Sequence, residues 1–398
     1  MNIEELSTVL NYCLDNNLKL EENGLDKITY NICGNAGLGK TSLVKQIAEQ
    51  RNAKFVKINL AEIEELGDLI GIPVKKYTIH NDTNERLVTE KELDYYFSLG
   101  YTLCEDCPPT MTYAIPNWVP EDSSVETIVL LDDFNRANLM FQQAIMSLIQ
   151  FGEYISWKLP KKCQLLLSSN PDNEEYQTTA LDSAQLSRFI TFNIDFDVQP
   201  WAKWAELNNI REEFINFALL TPEIFTRSHI INSRSYTLFI NSLSSLENLS
   251  SVESLQFAKM LAKATFGDDG DVIAGLYVQF INNNLHKLIT PQEIVNQSWE
   301  TVKNKLKDNV NKDGKYRPDI ASVITTRLTN YGVKVLTKKD NKQEVTNLID
   351  KVEKLFMATD KTSLIAEDLL LKLIKTLNQA APAKMKKLVQ KPEIFSKL

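Results

Sequence analysis

The stretch Gly34-Asn35-Ala36-Gly37-Leu38-Gly39-Lys40-Thr41 decides the fold, because it fits the pattern G-x-x-x-x-G-K-[ST] of a phosphate-binding loop. Residues 28–33 before it have the apolar character of a short buried strand, and residues 42–50 after it have the spacing of a helix. Strand, loop and helix in this order are the context that the motif requires. The sequence therefore predicts backbone N–H groups that converge at a positively polarised helix N-terminus.

The same stretch supplies the predicted nucleotide-binding residues. Lys40 is expected to reach the outer phosphates, and the Thr41 hydroxyl is expected to hold Mg²⁺. A chance glycine-rich turn is the alternative, which the Lys-Thr pair and the flanking segments disfavour. The full predicted set is Gly34, Asn35, Ala36, Gly37, Leu38, Gly39, Lys40, Thr41 and Ser42.

Size and composition limit the classes of protein that remain. The 398 residues suffice for two or three domains, and the net charge of -8 argues against a protein that coats duplex DNA. A local basic pore in an oligomer stays open. No apolar run reaches the roughly 18 residues of a membrane span, and the acidic N-terminus is unlike a signal peptide. Five cysteines, with Cys33 in the first strand, are typical of a reducing compartment and predict a cytoplasmic location.

The cysteine pair Cys104 and Cys107 has the C-x-x-C spacing of some metal sites. No second pair and no nearby histidine completes a set of four ligands. We therefore interpret the pair as part of an ordinary loop.

Strands alternate with helices along the first half of the chain. Apolar runs predict strands at 28–33, 55–60, 128–133, 164–170 and 189–194. This alternation predicts a three-layer α/β fold with a parallel sheet, formed by residues 1–198. Residues 75–125 interrupt it as an irregular insertion with one short helix at 90–99. A single helix is expected over 138–151.

The pattern changes to helices alone from about residue 199. Residues 199–266 form one cluster, which we interpret as a helical lid. Residues 267–398 are predicted to form an α-helical C-terminal domain of unknown role. The lysine-rich end, from residue 383 onward, is expected to be loosely held.

Two carboxylates, Asp132 and Asp133, close the apolar run at 128–131. At the end of a strand beside a phosphate-binding loop, the first is expected to order Mg²⁺ and the second to polarise the attacking water. A polar strand end without function is the alternative. Asp is one methylene shorter than Glu, so the base can lie too far from the water for fast hydrolysis.

Three further polar residues are candidates for the same site. Asn170 ends the strand at 164–170, where an amide lies beside the γ-phosphate; the alternative is a turn at Asn-Pro. Arg188 precedes the last strand and suits an arginine that acts on the nucleotide of a neighbouring subunit; the alternative is a surface ion pair. Arg234 opens a helix of the second half and could contact the phosphates, unless it is a solvated helix start.

Together these motifs resemble an AAA+ ATPase, and within that class the MoxR branch. By that resemblance the fold is a P-loop NTPase core, Lys40, Thr41, Asp132 and Asp133 are the Walker residues, and Asn170, Arg188 and Arg234 are sensor 1, the arginine finger and sensor 2. The departures are Asp133, where Glu is usual, and Asn232-Ser233-Arg234-Ser235, where S/T-P-R is more usual. The matching stretches are 34–48, 65–74, 115–120, 128–154, 165–171, 181–189, 201–210 and 232–235.

The resemblance implies an ATP- and Mg²⁺-dependent ATPase that assembles as a homo-oligomeric ring, in this branch a hexamer. It also implies a chaperone-like remodeller of a protein client, with a partner that carries a von Willebrand factor A domain. Membrane association and nucleic-acid binding are not expected. Two alternatives stay open: a DNA-associated motor or loader, and a nucleotide-gated scaffold that hydrolyses little ATP.

Overall fold

The structure, a computed structural model, describes residues 1–121, 124–172, 178–228, 230–312, 315–338, 341–362 and 364–397. The chain divides into two compact units, Met1–Asp195 and Phe196–Leu398. The predicted division at residue 198 lies close to this boundary, and the further division at residue 266 stays a prediction.

The first unit contains all of the larger strands. Its elements are α1 (Ile3–Glu22), β1 (Thr29–Cys33), α2 (Lys40–Gln50), β2 (Lys54–Asn59), α3 (Leu66–Ile70), β3 (Pro73–His80), β4 (Glu85–Thr89), α4 (Leu93–Ser98), β5 (Thr102–Leu103), β6 (Thr110–Tyr113), β7 (Thr127–Asp132), α5 (Leu139–Ala144), α6 (Met146–Phe151), β8 (Glu153–Tyr154), β9 (Trp157–Lys158), β10 (Cys163–Ser169), α7 (Ser183–Leu186) and β11 (Phe189–Asn193).

The central sheet has five parallel strands in the order β11-β1-β10-β7-β2. Cys33 at the end of β1 pairs with Ser169 of β10, and Asn59 at the end of β2 pairs with Asp132 of β7. The carboxyl ends of these strands therefore meet at one edge of the sheet. The phosphate-binding loop, the aspartates and Asn170 all follow strands at this edge.

Alternate residues of the buried strands pack into two separate cores. Ile128 and Leu130 join the core under α1 and α2, whereas Val129 and Leu131 join the core under α5 and α6. All six residues of β7 are buried. A strand covered on both faces needs apolar side chains on both, which explains the uninterrupted apolar run and confirms the predicted three-layer arrangement.

Residues 75–125 are more regular than the sequence predicted. β3 pairs antiparallel with β4, β5 and β6, and a 3-10 turn with α4 follows β4. The short helix expected at 90–99 is present. β4, β5 and β6 were missed because they are short and mostly exposed, and β3 because charged and polar residues interrupt its apolar pattern. Asn81-Asp82-Thr83-Asn84 at the β3–β4 connection is nevertheless a turn signal.

The interpretation of Cys104 and Cys107 as a loop pair without a metal did not anticipate that the two cysteines are bonded to each other. The two residues form a disulfide three positions apart in the sequence. Disulfides are rare in reducing compartments, so the cysteines give no uniform indication of location. No helix of the described residues is both long and apolar enough to cross a membrane.

The helix expected over 138–151 is divided into α5 and α6. Ile145, between them, has φ −97° and ψ 5°, outside the helical region. Both halves bury apolar residues, Phe141 in α5 and Leu148 and Ile149 in α6. Because the apolar spacing continues across the break, the sequence pattern gave no signal of it.

Among its described residues, the second unit consists of helices and their connections, apart from one pair of two-residue strands. Its elements are α8 (Val198–Leu207), α9 (Glu212–Leu220), α10 (Ser233–Leu243), α11 (Val252–Phe266), α12 (Gly270–Asn282), α13 (Pro291–Asn296), α14 (Trp299–Val310), β12 (Asn311–Lys312), β13 (Lys315–Tyr316), α15 (Pro318–Thr337), α16 (Lys342–Thr362), α17 (Glu367–Ala380), α18 (Pro382–Val389) and α19 (Pro392–Phe395).

One continuous core runs through the second unit, from Trp201 to Ile394. The helices expected to form the lid and those expected to form the C-terminal domain both contribute to it. The expectation of a loosely held end is wrong. Met385, Leu388 and Ile394 are at most 1% exposed. α18 therefore presents lysines to solvent, while these apolar residues of α18 and α19 pack inward.

Candidate nucleotide-binding site

The loop between β1 and α2 adopts the conformation that its glycines allow. Gly37 and Gly39 have φ of 79° and 89°, values that side chains with a Cβ atom disfavour. A Cβ atom on Gly34 would lie 2.6 Å from Cγ1 of Ile194. Gly39 is the N-cap of α2, so no capping side chain covers the N-terminus of this eleven-residue helix. The turn thus directs a helix N-terminus toward the strand edge, as an anion site requires.

Lys40 is buried at the start of α2, with 8% of its surface exposed. Its ammonium donates hydrogen bonds to the carbonyl oxygens of Gly34 and Asn35 and to Oδ1 of Asn170, the last at 3.2 Å. The lysine therefore joins the loop to the end of β10. A positive charge at this position lies inside the concave turn, where phosphate oxygens would bind.

Thr41 and Asp132 are brought into direct contact at the strand edge. Thr41 Oγ1 donates to Asp132 Oδ2 at 2.9 Å, and Ser168 Oγ donates to Oδ1 of the same carboxylate. The ammonium of Lys57, on β2, lies 3.1 Å from Asp132 Oδ2. Ser168 and Lys57 were missed by the sequence analysis, since a serine and a lysine within strands carry no motif.

The pKa of Asp132 is lowered below its ordinary value of 3.8. Burial alone would raise it, but the hydrogen bond from Ser168, the ammonium of Lys57 and the hydroxyl of Thr41 outweigh burial. Asp132 therefore keeps its negative charge at neutral pH, the state that a metal ligand requires.

Asp133 has a left-handed backbone, with φ 56° and ψ 39°. Asp is among the few residues other than glycine that adopt this conformation readily. Its Oδ1 accepts a hydrogen bond of 3.1 Å from the side-chain amide of Asn170, and its Oδ2 lies 3.5 Å from Arg136. The turn thus directs Asp133 away from Asp132 and toward the end of β10, where the two predicted water-positioning groups meet.

Asn135 is a further residue of this region that the sequence analysis did not single out. Its side-chain amide donates to the Asn170 carbonyl oxygen at 2.7 Å, and its Oδ1 accepts from the Asn170 N–H at 3.0 Å. Asn135 is 3% exposed. The paired bonds fix the backbone of Asn170, which explains why Asn170 does not begin a free turn before Pro171.

Arg188 lies at the opposite edge of the sheet. The next residue, Phe189, pairs with Thr29 at the start of β1, whereas the phosphate-binding loop begins after Cys33 at its end. Five residues of strand span roughly 16 Å. The guanidinium of Arg188 donates to Gln150 Oε1 at 3.0 Å and to the Ala184 carbonyl oxygen. Arg188 is therefore not part of the cluster formed by Lys40, Thr41 and Asp132.

The structure does not assign a role to Ser42 or to Arg234. Ser42 follows Thr41 on α2 and is exposed. Arg234 is exposed in the first turn of α10, in the second unit, where the Asn232 side chain caps the helix by accepting from the N–H groups of Arg234 and Ser235. A link between Arg234 and the phosphates stays a prediction.

The residues at the strand edge fit Mg²⁺ with a nucleoside triphosphate. Mg²⁺ takes oxygen ligands and is usually held by one or two carboxylates together with substrate phosphates. Thr41 supplies a hydroxyl oxygen and Asp132 a buried, ionised carboxylate, 2.9 Å apart and beside the helix N-terminus. Among the described residues no group of three or more His, Cys, Asp or Glu side chains forms a complete protein cage for a metal, so phosphate oxygens and water would complete the coordination.

A comparison with models of known protein families also points to an ATPase. Residues 30–90 match the family model "ATPase family associated with various cellular activities (AAA)". The match covers β1, the loop, α2 and the first part of the insertion, and it ends before the aspartates. A comparison with curated proteins gives no significant match.

Solved structures that match this chain include the Thermotoga maritima RuvB Holliday junction branch migration motor, at 14% identity, with 84% of this chain and 90% of that chain covered and a TM-score of 0.32. A putative ATPase from Cytophaga hutchinsonii shows 17% identity over 81% of this chain and 84% of that chain, with a TM-score of 0.27. TM-scores this low support no statement about how this chain is arranged as a whole.

The family match and the parallel sheet confirm the predicted fold class, a P-loop NTPase core followed by a helical region. The chain is thus similar to AAA ATPases in the sequence of residues 30–90.

Proposed function

We propose that this protein binds ATP with Mg²⁺ at the loop Gly34–Thr41 and hydrolyses it. The observation that carries the proposal is the contact between Thr41 and Asp132, at 2.9 Å, next to the contact between Asn170 and Asp133, at 3.1 Å. A metal-binding pair and a water-positioning pair thus lie together beside a helix N-terminus. Phosphoryl transfer needs little more from a protein than such positioning and charge.

Each residue has a distinct part in this proposal. The loop amides and Lys40 hold the phosphates. Ser42, the next residue after Thr41 on α2, belongs to the same proposed binding segment. Thr41 and Asp132 hold Mg²⁺, which neutralises charge on the phosphate oxygens when it is bound. Asp133 accepts a proton from the attacking water, and Asn170 orients that water from the neighbouring strand. The short Asp133 side chain leads us to expect slow turnover.

The position of Arg188 favours action on a second subunit. It lies about one strand length from its own loop, so it does not reach a nucleotide bound there. An arginine that stabilises the transition state must contact the transferred phosphoryl group. We therefore propose that Arg188 completes the site of a neighbouring copy in a ring, with six subunits as the expected number.

The finer assignments rest on the sequence resemblance. We propose a chaperone-like remodeller of the MoxR branch that acts on a protein client, with a von Willebrand factor A domain protein as partner. A cytoplasmic location is part of the proposal on separate grounds, the free thiols of Cys13, Cys33 and Cys163. In this proposal Arg234 and the helices at 199–266 respond to the nucleotide. The role of residues 267–398 is left open.

One observation disfavours the DNA-associated alternative. Residues 75–125, the segment that could have supplied a basic surface, contain nine acidic and four basic side chains. A net negative insertion repels a phosphate backbone. Only the rate of ATP turnover distinguishes the proposed ATPase from a scaffold that hydrolyses little ATP.

The test is steady-state ATPase activity of the wild type, of Lys40→Ala and of Arg188→Ala, alone and mixed. We expect turnover by the wild type, little by either variant alone, and partial recovery in the mixture, because each variant supplies what the other lacks. Tight ATP binding without turnover would favour the scaffold. Strong stimulation by DNA with a steep salt dependence would favour the motor or loader.

A further inference from the structure

A row of buried amide side chains runs from Asn170 to α7, the short helix that ends just before Arg188. Its members are Asn135, Gln142 and Gln185, which are 3%, 0% and 5% exposed. We call these three residues the amide relay. Burying an amide costs free energy unless its polar atoms are paired, so a fully buried row is retained only where its bonds are satisfied.

The first part of the amide relay lies at the candidate site. Asn135 holds both backbone polar groups of Asn170, at 2.7 and 3.0 Å. The Asn170 side chain in turn donates to Asp133 and accepts from Lys40. A γ-phosphate placed among these groups would compete for the same donors. Any shift of Asn170 is therefore passed to Asn135.

The second part leads away from the strand edge. Two residues after Asn135, the Ala137 carbonyl oxygen accepts a hydrogen bond of 2.9 Å from Gln142. Oε1 of Gln142 then accepts from the side-chain amide of Gln185 at 3.3 Å. The opposite side of Gln185 is fixed as well, because its Oε1 accepts from the N–H of Asp182, the N-cap of α7.

The last part is the turn that ends in Arg188. The Arg188 N–H donates to the Gln185 carbonyl oxygen at 3.1 Å, and the Arg188 guanidinium donates to the Ala184 carbonyl oxygen in the same turn. Gln185 therefore holds the backbone of Arg188, while the neighbouring Ala184 holds its guanidinium. Every bond of the path lies within the first unit.

We propose that Gln142 and Gln185, with Asn135, are positioning residues that couple Arg188 to the nucleotide state of its own subunit. The proposal rests on the proposed function, since it assumes that a γ-phosphate contacts Asn170 and that Arg188 serves a neighbouring site. Hydrogen-bonded elements with two discrete arrangements are the physical carriers of such coupling. In this scheme ATP in one subunit sets the arginine that acts on the next.

Hydrogen exchange tests the coupling without relying on turnover. The background is Arg188→Ala, so that contact with a neighbour's phosphate through this side chain is removed. We expect the non-hydrolysable analogue AMP-PNP with Mg²⁺ to change amide exchange in residues 183–189, and we expect Gln142→Leu to abolish that change. Gln143→Leu is the matched control, because Gln143 is the exposed neighbour on the same helix.

Binding of the analogue is measured on the same samples. Equal affinity in the Gln142→Leu and Gln143→Leu proteins with loss of the exchange change only in the former supports the amide relay. A change that persists in Gln142→Leu, or that is absent from the Arg188→Ala background, overturns it. Failure of the analogue to bind at all would instead overturn the proposed function and the relay with it.

Mixed assemblies provide a kinetic test. An Asp133→Asn subunit donates Arg188, because it keeps Lys40 and the loop and so binds ATP while lacking the proposed base. An Arg188→Ala subunit supplies the intact site. We expect Gln185→Leu to lower the mixed activity at least tenfold in the donating subunit and less than twofold in the accepting subunit. Equal effects in both placements, as a general folding defect would give, contradict the proposal. If the mixture is inactive even without Gln185→Leu, Arg188 does not act on a neighbouring subunit. The hydrogen-exchange experiment then tests the amide relay by itself.

Discussion

Thr41 Oγ1 donates a hydrogen bond of 2.9 Å to Asp132 Oδ2 across 91 positions of sequence. This contact joins the phosphate-binding loop to β7. We predict that Thr41→Val weakens Mg²⁺ affinity in the presence of ATP by about tenfold or more, the scale of one lost contact to a charged group. ATP binding in EDTA should change little, since the loop amides and Lys40 remain.

Thr41→Ser is the control, because it keeps the hydroxyl and removes only a methyl group. Titration of Mg²⁺ against a fluorescent ATP analogue measures both quantities. Equal Mg²⁺ affinity in the valine and serine variants would rule out Thr41 as a metal ligand.

Lys57 presents a cation to the carboxylate that we assign to Mg²⁺. Its ammonium lies 3.1 Å from Asp132 Oδ2, and its side chain is 42% exposed. Two cations compete for one oxygen, so Lys57→Met should raise Mg²⁺ affinity by about twofold to fivefold, the scale of a partly exposed ion pair. Lys54 is an exposed lysine on the same strand, and Lys54→Met should leave the Mg²⁺ affinity unchanged. A weaker Mg²⁺ affinity in Lys57→Met would show that the lysine assists the metal site.

The left-handed backbone of Asp133 separates two substitutions that both remove the carboxylate. Asp133→Asn should lower turnover by about 100-fold or more, the usual scale of a lost general base, and should keep the stability of the wild type, because Asn tolerates this conformation. Asp133→Ala should lose the same activity and in addition about 1 kcal/mol of stability. Turnover and urea unfolding of both variants test this. Full activity in Asp133→Asn would exclude Asp133 as the base.

A buried arginine stabilises the second unit. Arg327, on α15, is 1% exposed and donates to Glu206 at 2.7 Å and to Asn216 at 3.2 Å, with Glu212 also within 3.2 Å. Removing one partner of a buried ion pair typically costs about 3–5 kcal/mol. Arg327→Met should therefore destabilise the protein by this amount at neutral pH. Arg317→Met, which removes a half-exposed arginine near the start of α15, should cost less than about 1 kcal/mol.

The penalty in Arg327→Met should depend on pH. Burial raises the pKa of Glu212 above 4.5, and the charge of Arg327 opposes that rise. A carboxyl whose folded pKa is raised loses stability as the pH rises from the unfolded pKa through the folded pKa. Without Arg327 the pKa of Glu212 rises further, so the destabilisation should be smaller near pH 5 than near pH 8. Urea unfolding of the wild type and Arg327→Met at pH 5 and at pH 8 measures this difference. A loss of stability that is equal at the two pH values would contradict an ionised network around Arg327.

The parts of the fold that follow from local pattern were predictable. Strands buried on both faces are mostly apolar, so the runs 128–131 of β7 and 165–167 of β10 are visible in the sequence. The β3–β6 sheet and the division between α5 and α6 were not predictable in this way. Strands with exposed charged faces resemble loops, and an apolar stripe continues through Ile145 whether or not the helix does.

The residues of the candidate site also divide into those that the sequence predicts and those that it does not. Lys40, Thr41 and Asp132 belong to motifs whose chemistry depends on spacing, so their meeting at one strand edge could be predicted. Lys57, Ser168 and the amide relay come from elements that no motif marks. Only the sheet register, which places β2 and β10 on either side of β7, brings Lys57 and Ser168 to the carboxylate of Asp132.

The most direct test of the account is equilibrium binding of ATP with Mg²⁺ to the wild type, Lys40→Ala and Lys45→Ala. Lys45 is an exposed lysine on α2, one turn beyond the loop, and serves as the matched control. We predict saturable binding by the wild type and Lys45→Ala, and at least a tenfold weaker affinity in Lys40→Ala. Equal affinity in Lys40→Ala and Lys45→Ala would contradict a triphosphate site at Gly34–Thr41.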